Sequence, residues 1–177
     1  MRRIKEEDLE MVMEWRMRPN ITEFMNTDPT RTIKSQKEWF NKIKDNKEQI
    51  YWIIVVNNVP IGVINVFNID YDNKRCSWGY YIAEVEYRSL KLALFLEWNL
   101  YDYVFDTLMR HKFCNETFVD NKQVIKLHGM CGSKEDGIMR QHIYKNGKYY
   151  DVSVGSILVD EWRKKKNTVK YENFMFE

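Results

Sequence analysis

Three apolar runs follow one another in the middle of this 177-residue chain: IYWIIVV (Ile50 to Val56), IGVINVFNI (Ile61 to Ile69) and RCSWGYYI (Arg75 to Ile82). Only NNVP and YDNK separate them, and both are turn signals that read as hairpin connections. A three-stranded meander is therefore expected. After a short loop comes a segment from about Leu90 to Thr107. There Leu92, Leu96, Leu100, Tyr103 and Val104 keep one face apolar and Phe95 widens it, the pattern of a long helix packed on a sheet.

Flanking segments complete the order. EEDLEMVMEWRM places Leu9, Val12, Met13 and Arg16 at helical spacing, with a stop near Arg18 before Pro19. SQKEWFNKI opens on Ser35 with Glu38 three places on, a capping box leading into a helix with Trp39, Phe40 and Ile43 on one face. KFCNETFV reads as a strand, and NKQVIKLHGM as a short helix stopped at Gly129. IMRQHIY and YYDVSVGSIL flank KNGK, whose Asn-Gly signals a closing hairpin. The sum is a mixed α/β sheet with helices on its faces, in one domain over residues 1–177.

Charge is high but balanced, +2 overall, which argues against bulk nucleic-acid binding. The one basic run, RKKK (Arg163 to Lys166), reads as a solvated tail or a weak anion contact. Three cysteines without CxxC spacing fit neither a disulfide framework nor a zinc site, and the scattered histidines suggest no metal. With no apolar run of bilayer length, the expectation is a cytoplasmic protein without a membrane partner.

Five stretches carry a resemblance: EWRMRPNITEFM (Glu14 to Met25), YWIIVVNNVPIGVINVFNID (Tyr51 to Asp70), WGYYI, NKQVIKLH and GIMRQHIYKNGKYYDV. In this order they resemble the GNAT superfamily of acyl-CoA N-acyltransferases, from about Ile4 to Trp162. The closer likeness is to the branch that acylates nucleotide-linked amino sugars, as in pseudaminic acid synthesis. The resemblance implies a sheet of about seven strands splayed between the fourth and fifth. It also implies acetyl-CoA or another short-chain acyl-CoA as co-substrate, no metal, a sugar-nucleotide acceptor, and a monomer or homodimer.

It further implies site residues. The loop and helix start at Arg88, Ser89, Leu90, Lys91, Leu92 and Ala93 would hold the coenzyme pyrophosphate through backbone amides and the helix dipole. The family's glycine positions here hold Ser89, Lys91 and Ala93, and taken alone the segment also fits a plain amphipathic helix with a basic start. Tyr80, Tyr81 and Ile82 would pair through their backbone with the pantetheine arm. Asn121 would hydrogen-bond it, or simply cap its helix. Glu116 matches the glutamate that takes the amine proton through a water, on the expectation of partial burial; a strand glutamate facing solvent or a salt bridge is the other reading. His128 stands where relatives have the tyrosine that protonates the leaving thiolate. Arg16, Arg18 and Asn20 lie where the acceptor is covered. Trp52 and Trp78 would either stack on sugar or base, or pack the core.

The function expected is acyl transfer by direct attack in a ternary complex. The alternatives are acetylation of a protein N-terminus and a non-catalytic acyl-CoA or sugar-nucleotide binding module.

Overall fold

The computed structural model describes residues 1–27 and 32–177. Its centre is a seven-stranded sheet in the order β1-β2-β3-β4-β5-β7-β6. The strands are β1 (Arg2–Arg3), β2 (Ile50–Val56), β3 (Val59–Asp70), β4 (Arg75–Ile82), β5 (Lys112–Phe118), β6 (Lys134–Lys145) and β7 (Lys148–Leu158). The expected meander is β2-β3-β4. Its first turn is made by Asn57 and Asn58, both at positive φ, which asparagine tolerates better than most residues. Asn146 and Gly147 do the same at the closing β6-β7 hairpin.

The sheet is mixed. β4 and β5 run parallel and pair only from Arg75 to Ser77 against Lys112 to Cys114, while every other neighbouring pair is antiparallel. Beyond Ser77 the two strands part. β5 continues against β7 as far as Phe118, and the edge of β4 from Trp78 to Ile82 stays open on that side.

Helices cover both faces. On one, α4 (Leu90–Asp102), α5 (Lys122–Cys131) and α6 (Val159–Lys166) bury Leu96, Leu100, Tyr101, Leu127, Cys131 and Trp162 against Trp52, Ile64, Trp78 and Phe113. On the other, α1 (Leu9–Met17) packs Val12 and Trp15 on Ile53 and Val63. α3 (Ile33–Ile43) sets Trp39 edge-on to Tyr51 at 5.1 Å. A single turn, α2 (Pro19–Thr22), follows α1, which ends at Arg18 as Pro19 requires.

Several expectations are corrected. The cap of α3 is Thr32, whose hydroxyl accepts from the Ser35 amide, so the helix starts earlier than the Ser35–Glu38 pattern suggests. The long helix ends its α-turns at Asp102 and continues as a π-turn from Tyr103 to Thr107. Arg163 to Lys166 are not a tail but the end of α6, where cations meet the negative end of the helix dipole, and Lys166 pairs with Asp102 at 2.6 Å. The last residues fold back: Tyr171, Phe174 and Phe176 pack on the main core, and the Phe174 amide donates to Asn99. Among the described residues, no helix is long and apolar enough to cross a membrane.

Candidate active site

The parting of β4 and β5 opens a cleft of about 570 Å³ that reaches from one face of the sheet to the other. Side-chain alternation along β4 explains how. Trp78, Tyr80 and Ile82 point to the α4 face, whereas Tyr81 points to the α1 face. His128 lines the cleft from the first side, and Arg16, Trp39 and Tyr51 line it from the second.

The phosphate-loop segment keeps regular geometry. Ser89, in extended conformation, is the N-cap of α4 and its hydroxyl accepts from the Leu92 amide at 3.2 Å. The Leu90 and Lys91 amides belong to the first turn, where no intrahelical acceptor exists. None of Ser89 to Ala93 has positive φ. This accounts physically for the absent glycines: the bend does not use the conformations that only glycine adopts freely. The Ser89, Leu90 and Lys91 side chains are exposed, leaving the amide row uncovered. Leu92 and Ala93 instead pack on the core. Arg88 lines the cleft and its Nε donates to the Ile82 carbonyl at 2.9 Å, tying the loop to the open end of β4. This open edge, the uncovered amides and Arg88 fit the extended arm and anionic end of a coenzyme A thioester.

Near the proposed reacting atoms the structure sets His128 against Trp78, ring centroids 5.1 Å apart, with His128 only 7% exposed. Its Nδ1 lies 2.9 Å from Oε1 of Glu97, a carboxylate on α4 with no exposure at all. Sequence reasoning missed Glu97. The signal was present, however: Ala93, Leu94, Leu100 and Tyr101, its neighbours three and four places away, are all apolar or aromatic, so its face of the helix is a buried one.

Glu116 lines the cleft too, but it is exposed rather than half-buried. The parity of β5 is the reason. Phe113, Asn115 and Thr117 are buried, and Glu116 faces the other way, where it also borders a second, polar cleft of about 730 Å³. Asn121 occupies the N-cap position of α5 yet makes no side-chain capping bond, and it lines the cleft.

On the acceptor side the predicted residues separate. Arg16 and Asn20 line the cleft. Arg18 does not: its guanidinium is bound to Glu84 and to the Ala83 carbonyl. Trp52 is a second correction. It is fully buried among Tyr103, Phe176 and the Arg3 guanidinium, its indole N–H donating to the Glu177 carbonyl, and it reaches no cleft. Trp78 is chiefly a core residue, stacked on Tyr80 and Phe113, with one side on the cleft.

Among the described residues, three buried polar atoms on this cleft have no partner: Nε of Arg16, Nε1 of Trp78 and the hydroxyl of Tyr81. Burial pushes the Tyr81 phenol well above its usual range despite nearby Arg16 and Arg18, so it stays a donor. Among the described residues, Glu116 is the only carboxylate lining the cleft. No group of three or more His, Cys, Asp or Glu among them is placed to hold a metal.

The profile of the family described as acetyltransferase (GNAT) domain matches residues 1–134, three quarters of the chain. The chain belongs to the GNAT acetyltransferase family. Its mixed seven-stranded sheet is the GNAT fold. The structure is similar to that of spermidine N-acetyltransferase from Vibrio cholerae in complex with CoA and spermine, with a TM-score of 0.84 at 22% identity, covering 91% of this chain and 95% of that one. In sequence the chain is 26% identical to spermidine N(1)-acetyltransferase of Vibrio cholerae over 163 residues, 92% of this chain and 94% of the relative. It is 25% identical over 125 residues to acetyltransferase PseH of Campylobacter jejuni, 71% of this chain and 76% of that one. As a GNAT enzyme the protein is an acyl-CoA-dependent N-acetyltransferase that uses acetyl-CoA.

Proposed function

We propose that the enzyme acetylates the amine of a small, oxygen-rich acceptor, an amino-deoxysugar carried on a nucleoside diphosphate. The observation that carries this is the set of orphaned donors on the cleft. Arg16 Nε, the Tyr81 hydroxyl and Trp78 Nε1 all require lone pairs from a ligand, since a buried donor left unpaired costs roughly 1–3 kcal/mol. Sugar hydroxyls, carbonyls and phosphate oxygens supply lone pairs. The surrounding amides and hydroxyls, Asn20, Asn65, Asn115 and Thr117, suit the same ligand.

A polyamine is the competing acceptor, and the Vibrio cholerae relatives favour it by name. A protonated polyamine offers N–H donors only and calls for several carboxylates, whereas the described cleft wall carries Arg16 and Arg88 against the single Glu116. That contrast favours the sugar nucleotide.

Bound acetyl-CoA supplies the acetyl thioester. Leu90 and Lys91 present amides to its phosphates, the backbone of Tyr80 to Ile82 extends along its arm, and Asn121 donates to it. Glu116, open to water, takes the amine proton through a water molecule, and His128 protonates the departing sulfur. The test is thiol release from acetyl-CoA with UDP- and dTDP-linked amino-deoxysugars, spermidine, spermine and an N-terminal peptide as acceptors. Turnover with an amino-sugar nucleotide at least tenfold above spermidine supports the proposal. The reverse order assigns a polyamine, and release only with the peptide assigns a protein substrate.

A further inference from the structure

Glu97 is a carboxylate with no exposed surface, surrounded by donors from three elements. From α5 come His128 Nδ1 at 2.9 Å and the Cys131 thiol. From α4 comes the Tyr101 hydroxyl, one turn along, at 3.2 Å. From β4 comes the Tyr80 hydroxyl. Burial first, and then Glu97 itself, hold both phenols and the thiol in their protonated, donating forms. Among the described residues, no lysine or arginine is bonded to this carboxylate. An isolated buried carboxylate is costly, and one that collects several hydrogen bonds is retained at much lower cost. Such a group is built for one arrangement of its partners.

We infer that Glu97 is the positioning residue for the proton donor: it accepts the Nδ1–H of His128 and leaves Nε2 as the only ring nitrogen that exchanges protons with the cleft. The inference rests on the acid role proposed above for His128. Geometry supplies the rest. His128 lines the cleft, its Nδ1 is committed to Glu97, and among the described residues Nε2 has no hydrogen-bond partner. Trp78 packs edge-on against the ring, centroids 5.1 Å apart, and both side chains are buried.

The proton balance is simple. As the amine nitrogen bonds to the acetyl carbon and the carbon–sulfur bond breaks, the nitrogen gives one proton to water and Glu116. The sulfur takes one proton from Nε2. The ring keeps its Nδ1–H throughout and is recharged at Nε2 from cleft water. Glu97 accepts the Nδ1–H before and after the transfer and so holds the ring in one orientation throughout. Other titratable groups near His128 are Tyr80, Tyr101 and Cys131 around Glu97, with Arg88 and Glu116 on the same cleft.

The test combines Glu97→Gln with His128→Gln. Two-bond ¹H–¹⁵N spectra of histidine-labelled protein, recorded without any substrate, should show the neutral His128 ring as the Nδ1–H tautomer. In Glu97→Gln that signature should be lost. In turnover with the best acceptor, Glu97→Gln should lower kcat by about a hundredfold, with KM for acetyl-CoA and acceptor unchanged within about threefold. Added to His128→Gln, it should cost less than threefold more. An Nε2–H tautomer in the parent protein overturns the inference. So does a Glu97→Gln kcat within threefold of the parent, or an equal loss in the His128→Gln background, which marks a folding role alone. The tautomer needs no acceptor, so a wrong acceptor class would be seen separately, as absent turnover beside an intact Nδ1–H signal.

Discussion

Arg18 and Glu84 face each other fork to fork, Nη1 to Oε2 and Nη2 to Oε1 each at 3.3 Å, and the Trp15 indole N–H donates to the same carboxylate at 2.8 Å. This ties α1 and its following turn to the end of β4. Two arginines only two positions apart are thereby given different work. Arg18 is bound to Glu84 and Ala83, while among the described residues Arg16 is held by Thr27 through one Nη and its Nε has no partner. Arg16→Met is expected to raise KM for the acceptor roughly tenfold, the order of one lost charge-assisted hydrogen bond, and to leave KM for acetyl-CoA unchanged. Arg18→Met should instead lower the denaturant midpoint and spare acceptor KM. Initial-rate kinetics and urea melts on both variants separate the two.

Glu116 is exposed on β5, and among the described residues its side chain makes no hydrogen bond or ion pair. Glu116→Gln should therefore keep the parent melting temperature and the parent affinity for acetyl-CoA by calorimetry, while kcat falls about 10²-fold or more. An undiminished rate would transfer the base role elsewhere. Absence of thiol release in the parent with every amine, beside normal ligand heat, would point to a binding module.

Gly62 and Gly129 give opposite expectations. A Cβ at Gly62 would meet the Tyr81 carbonyl oxygen at 2.1 Å, a backbone atom that moves only if β4 moves. Gly62→Ala should cost about 1–3 kcal/mol, read as a shift in the urea midpoint, and it should raise KM for acetyl-CoA because it displaces the strand edge at Tyr81 and Ile82. A Cβ at Gly129, inside α5, meets nothing within 4 Å. Gly129→Ala should stabilise by about 0.5–1 kcal/mol through helix propensity.

Stability should decline on acidification through Asp8. Burial opposes ionisation there, but the Arg2 fork at 2.6 and 2.7 Å and the Lys5 amide at 2.9 Å together hold its carboxyl below the usual aspartate range. A depressed folded-state value means the unfolded chain takes up the proton first. The contribution is complete above the unfolded value near 3.9 and is lost as pH falls through the folded one. Urea midpoints between pH 6 and pH 2 should fall less steeply in Asp8→Asn, from a lower starting stability.

Much of this architecture is written locally. The meander follows from apolar runs set between Asn-rich turns, the stop of α1 from Pro19, and the closing hairpin from Asn146-Gly147. What escaped is tertiary. β1 is two residues and exists only because Arg2 and Arg3 find Ile53 and Trp52. The fold-back of Tyr171, Phe174 and Phe176 depends on a core that no local pattern announces. Trp52 reads as a stacking platform or, more readily, as a core residue, and its neighbours decide for the core. Glu116 was expected to be half-buried because its neighbours are apolar, but strand parity sends alternate residues to opposite sides. Glu97 is the instructive miss: a single acid in an apolar helix is easily read as a tolerated surface charge, and only the packing of α5 and β4 on α4 brings it His128 and Tyr80.

A ladder that stops after three rungs leaves native cohesion unfinished. The edge from Trp78 to Ile82 meets no neighbouring strand, so whatever lies along it finishes the sheet as well as filling the cleft. Ligand occupancy and conformational integrity are then one equilibrium seen from two sides. A cell rich in acyl thioester would hold this enzyme folded more firmly than a starved one does, and its lifetime against proteolysis would follow the metabolic state that it serves.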